Sequence, residues 1–141
     1  MYDILIVGAV LALSMWFFKH NKKVLKKHVA LAEDAVSKGI DLILPDGRRV
    51  VDDSVECTIP HRFVRHAIGP APPYFYLGHA QVTAFHKLKD GTWLRQDALW
   101  VGAAKGLRNR SYTQVEEAEV RKALASYPDQ FTKAFGEPAV V

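Results

Sequence analysis

Hydrophobic and polar positions divide this chain into three stretches. Ile4 to Phe18 reads ILIVGAVLALSMWFF, fifteen residues without a charge, in which only Ser14 carries a strong polar group. As a helix this run rises about 22 Å, or about 27 Å counted from Met1, against a hydrocarbon core of about 30 Å. Its Ile, Leu, Val and Phe side chains favour insertion by about 3–5 kcal/mol. Trp16 and Tyr2 stand near its two ends, where interfacial aromatics belong. Asp3 before the run and Trp16-Phe17-Phe18-Lys19 after it are wrong for a cleaved signal peptide. The run has no polar stripe, which a surface helix of a soluble core needs. The pattern predicts a transmembrane anchor over 1–18.

Residues 19–39 follow a different period. Val24, Leu25, Val29, Leu31, Ala32, Ala35 and Val36 recur at spacings of three and four, with charges mainly between them. This predicts an amphipathic stem helix closed near Gly39. Its apolar stripe fits either the chain's own domain or a partner helix.

Residues 40–141 alternate in shorter runs. Ile40–Leu44 and Arg48–Val51 flank Pro45-Asp46-Gly47, and Gln81–Leu88 and Thr92–Val101 flank Lys89-Asp90-Gly91. Both read as β-hairpins. Val55–Ile59 reads as a short strand stopped by Pro60, and His61–Ile68 as a helical turn or irregular segment. Gly69-Pro70-Ala71-Pro72-Pro73 interrupts regular structure before the strand-like Tyr74-Phe75-Tyr76. Gly102–Arg110 reads as a basic loop. Thr113-x-x-Glu116 has the form of a capping box opening a helix that Pro128 ends, and Phe131, Ala134 and Phe135 suggest one more short helix before Gly136. The expected fold is α+β: a transmembrane helix and stem, then a small antiparallel sheet with C-terminal helix.

Charge sharpens the picture. The net charge is +4, but five of the 19 basic residues are Lys19, Lys22, Lys23, Lys26 and Lys27. From residue 28 onward, 14 basic residues face 14 acidic ones. The basicity is local to the apolar run, as the positive-inside rule requires of a cytoplasmic flank. Trp16 with these five lysines forms the expected membrane interface. The implied orientation is N-terminus out and C-terminal domain cytoplasmic. The lysines can also gain from anionic headgroups.

Candidate chemistry is sparse. Cys57, His61 and His66 form C-x3-H-x4-H, with His79 or His86 as a further donor, but the spacing matches no strong zinc pattern. A lone cysteine excludes an internal disulfide. Cys57 with a histidine could form a nucleophile–base pair, though no flanking motif supports it, and the chain has no phosphate-loop, dinucleotide, serine-hydrolase or metalloprotease motif. Arg62, Arg65, Arg108 and Arg110 could contact phosphates, with Trp93, Trp100, Phe75 and Tyr76 for stacking, yet a neutral domain has little long-range pull on a polyanion. No catalytic residue, metal or cofactor is assigned. The expected role is an accessory or assembly subunit of a membrane complex, acting through protein partners at a lipid bilayer. The alternatives are a membrane-tethered binder of nucleic acid or anionic lipid and a small Cys/His metalloprotein or enzyme.

Overall fold

A computed structural model describes residues 2–65 and 79–137 of the chain. The expected elements at Gly69–Pro73 and Tyr74–Tyr76, and His66, lie outside the described residues. The order is helix α1 (Tyr2–Val36), strands β1 (Asp41–Ile43) and β2 (Arg49–Val51), a 3-10 turn at Asp52–Ser54, strands β3 (Val55–Arg65), β4 (Ala80–Leu88), β5 (Trp93–Trp100) and β6 (Leu107–Val115), then helices α2 (Glu117–Leu124) and α3 (Pro128–Phe135). The fold is α+β, with a β1–β2 hairpin and a four-stranded antiparallel sheet in the order β3-β4-β5-β6.

One continuous helix of 35 residues carries both the expected anchor and the expected stem. Among the described residues no helix is long and apolar enough to cross a membrane, so the fold lends no support to the expected transmembrane anchor. The described apolar exposed run, Ile4–Trp16, rises only about 20 Å. The second half of α1 packs on its own domain. Ala32 and Val36 are fully buried against Ala80, Val82, Ala84 and Trp100, flanked by Phe63 and Leu107.

Both expected hairpins are present, turning through Gly47 (φ 90°) and Gly91 (φ 91°). Three other expectations fail. β3 runs straight through Pro60 to Arg65 in place of a turn. Proline is tolerated there because β3 is an edge strand with a register shift between Pro60 and Arg62. The expected loop Gly102–Arg110 is shorter than the sequence suggests, since β6 begins at Leu107 and takes its last four residues. Thr113 lies inside that strand, so there is no Thr113 cap: α2 starts at Glu117 after an extended Glu116 without a side-chain cap bond.

Strand alternation then assigns two faces. One face carries Ala80, Val82, Ala84, His86 and Leu88 on β4 and Leu94, Gln96, Ala98 and Trp100 on β5. It is covered by α1 and by the hairpin residues Ile40, Leu44 and Val50. The opposite face buries Ile59, Phe85 and Trp93 under Val120, Leu124, Phe131 and Ala134 of α2 and α3.

Candidate functional site: the projecting helix and the cationic end of the domain

The helix α1 packs across the sheet face, against β3 and β6, and its first half leaves the sheet at one end. Near its C-terminus, Arg110 on β6 donates to the carbonyl oxygens of Ala35 and Gly39, the latter at 3.0 Å. Eight residues earlier than Val36, His28 Nδ1 accepts a hydrogen bond from Trp100 Nε1 at 3.2 Å. Trp100 pairs with Ala80 and Leu107, and Ala80 with Arg65, so these residues form the last row of the sheet. Everything before His28 therefore runs beyond that row. Trp16 stands about 18 Å further along the helix axis.

Along this projection Ile4, Leu5, Ile6, Val7, Val10, Leu11, Leu13, Met15 and Trp16 are all exposed, Ile4 to 77% and the least of them, Val7, to 57%. They point to every side of the helix. Lys19, Lys22, Lys23, Lys26 and Lys27 follow, all exposed. Trp16 stacks on His20 with ring centroids 5.4 Å apart. The expected interface residues are thus on one rod, apolar above and cationic below.

The four arginines are not one patch. Arg62 and Arg65 are on β3 and Arg108 is on β6, at opposite edges of the sheet. Arg110 is engaged with the end of α1, where its charge also suits the negative pole of the helix. Its place comes from a bulge. Asn109 takes a left-handed conformation (φ 53°) at a register shift between Asp97 and Leu99, which resets the alternation of β6.

Arg110 belongs to a buried polar line that sequence reading did not find. His86 and Gln96 are both 0% exposed. Thr58 Oγ1 lies 2.8 Å from His86 Nδ1. The Gln96 amide is satisfied when its nitrogen donates to His86 Nε2 at 2.8 Å and to the Val36 carbonyl at 3.0 Å, with its oxygen accepting from Arg110 Nε at 3.2 Å. His86 then carries its proton on Nδ1 and donates it to Thr58. Burial holds the His86 pKa below its ordinary value, and the Arg110 charge lowers it further. Asp52 secures the chain beyond the helix, accepting from the N–H groups of Gly39 (3.1 Å) and Ile40 (2.6 Å). Tyr112, whose ring is 6.2 Å from His86, has a buried hydroxyl without a hydrogen-bond partner among the described residues. The signal for this line was parity: His86 and Gln96 occupy the same alternation as the buried apolar residues of their strands.

The Cys/His set is dispersed. Cys57 is half-buried beside the Ile59–Phe85 core, and that burial raises its thiol pKa. His61 pairs through Nδ1 with Gln130 Oε1 at 2.8 Å and abuts Tyr127. His86 is in the polar line, and His79 is at the far end of β4. Among the described residues no three His, Cys, Asp or Glu side chains are grouped to hold a metal ion.

Two surface clefts carry cationic side chains. One of about 360 Å³, between the two hairpins, includes Arg48, Arg49 and Lys89 together with Asp90. Arg48 there pairs with Asp46 and Asp90. The other, of about 510 Å³, lies at the end from which α1 projects and is lined by His79, Lys105, Arg108 and the 101–104 backbone turn. Comparison with protein-family models, curated proteins and solved structures finds no match for this chain.

Proposed function

We propose that this chain is a membrane-attached accessory or assembly subunit, held at a bilayer by the first half of α1 and presenting its α+β domain to protein partners on the cytoplasmic side. The observation carrying this reading is the uncharged, predominantly apolar and everywhere exposed surface of Ile4–Trp16. A helix apolar on all sides belongs in a hydrocarbon environment, not on a water-facing surface. The uncharged run continues in sequence to Phe18, and Lys19 and the lysines after it can snorkel to headgroups to make up the remaining thickness. The lysines after the run favour the cytoplasmic side for the domain, by the positive-inside rule. Holding a weakly binding domain at a surface raises its effective concentration near other membrane proteins.

The test is sequential extraction of membranes containing the full chain. Retention through carbonate and release by detergent, with a reproducible set of co-purifying proteins, is the expected result. Release by carbonate overturns the attachment, and detergent release of a chain with no associated protein overturns the subunit role.

A further inference from the structure

The domain is neutral in sum but polar in layout. Residues 57–89 and 98–115 contain no Asp or Glu. These spans supply nearly all of β3, all of β4, the end of β5 and all of β6. At the last row of the sheet they place Arg65, His79, Lys105 and Arg108. Among the described residues none of these four has a carboxylate within ion-pair distance. The hairpin end holds both signs: Asp41, Asp46, Glu56 and Asp90 there are paired with Arg49, Arg48 and Lys87. The cationic end is the one from which α1 leaves. Lys23, five residues before His28, lies about 7 Å further along α1 from the contact with Trp100.

We infer that the turn between β5 and β6, with His79, Lys105 and Arg108, is a second membrane contact that docks the end of the sheet on anionic phospholipid headgroups. This rests on the membrane attachment proposed above. Exposed Ala103 and Ala104 leave the tip of the turn without bulk or negative charge, so it can approach a headgroup layer. The lysines of α1 and the turn face the same layer, within about one Debye length of it, when the helix tilts by the ordinary ~20°. At the opposite end Arg48, Arg49 and Lys87 are engaged by carboxylates, so that end has less pull on an anionic layer.

Amide hydrogen exchange of the full chain, incorporated into nanodiscs of neutral lipid or of neutral lipid with 30% phosphatidylserine, tests this. Exchange at Ala103–Lys105 slows in the anionic discs and not in the neutral ones, while Asp46–Gly47 at the opposite end is unaffected. The double variant Lys105→Gln/Arg108→Gln, at two exposed positions, loses up to roughly 25-fold of that protection, about fivefold per charge. Equal exchange at 103–105 in both discs, or protection undiminished in the variant, overturns the docking while leaving attachment intact. A chain that enters neither disc overturns the attachment and the docking with it. Protection produced by single-stranded oligonucleotide in neutral discs, and not by phosphatidylserine, assigns the surface to nucleic acid instead.

Discussion

The two halves of α1 share one backbone conformation and almost nothing else. From Val24 to Val36 the helix is half-covered: Val24, Leu25, His28, Val29, Ala32, Ala35 and Val36 are buried or half-buried, and Lys26, Lys27, Glu33 and Asp34 are exposed. From Ile4 to Trp16 every described side chain is exposed. The second half is helical because packing rewards one face, as for most helices in globular domains. The first has no such reward from its own chain. Helical structure alone thus says little about what stabilises a segment; the distribution of its apolar positions around the axis says much more.

The contrast is broken most forcefully in the first half. Leu11→Arg disfavours insertion by about 3 kcal/mol and converts the chain to one released by carbonate. The same variant leaves the urea-unfolding midpoint of the detergent-solubilised domain unchanged, because Leu11 touches nothing there. A shifted midpoint would mean the two halves are energetically coupled. In the second half, Arg110→Ala strips the carbonyls of Ala35 and Gly39 and the Gln96 oxygen of their donor, and the domain loses about 2–3 kcal/mol of unfolding free energy with membrane retention intact. Arg110→Lys recovers only part, since one ammonium cannot reproduce the fork.

A titration sharpens the same boundary. Burial lowers the pKa of His86, and burial together with Lys27 lowers that of His28. Each folded value lies below the unfolded value of about 6.5, so the unfolded chain takes up more protons in the window beneath it. Stability is full above about pH 6.5 and declines as pH falls through the folded values. His86→Asn flattens that decline in urea titrations across pH 7 to 5; an unchanged slope would show that His86 does not carry it. The smallest effect is expected at Tyr112. Tyr112→Phe removes a buried hydroxyl without a partner and raises stability by up to about 1 kcal/mol, read from the thermal midpoint.

What was legible in the sequence follows the same logic. Asp-Gly pairs between apolar runs located both hairpins, because turn chemistry is local. Gly136 in a left-handed conformation closed α3 as its composition implied. β6 was not legible, because the bulge at Asn109 breaks its alternation and its surface is largely polar. The passage of β3 through Pro60 depends on β3 being an edge, which no local pattern records. The dispersal of the four arginines is a matter of strand order, and the capture of Arg110 by the end of α1 spans 71 residues of sequence.

The continuity of α1 has a geometric consequence. A helix of 35 residues is about 52 Å long, and its far end is bolted to the sheet through Arg110, Gln96 and Trp100. The domain does not hang from a string. Its height and compass bearing are set by residue count, about 1.5 Å and 100° for each position between Phe18 and Val24. One inserted residue there swings the cationic turn a quarter-circle and more, while seven bring it back to nearly the same heading about 10 Å further out. The linker is a ruler and a dial at once.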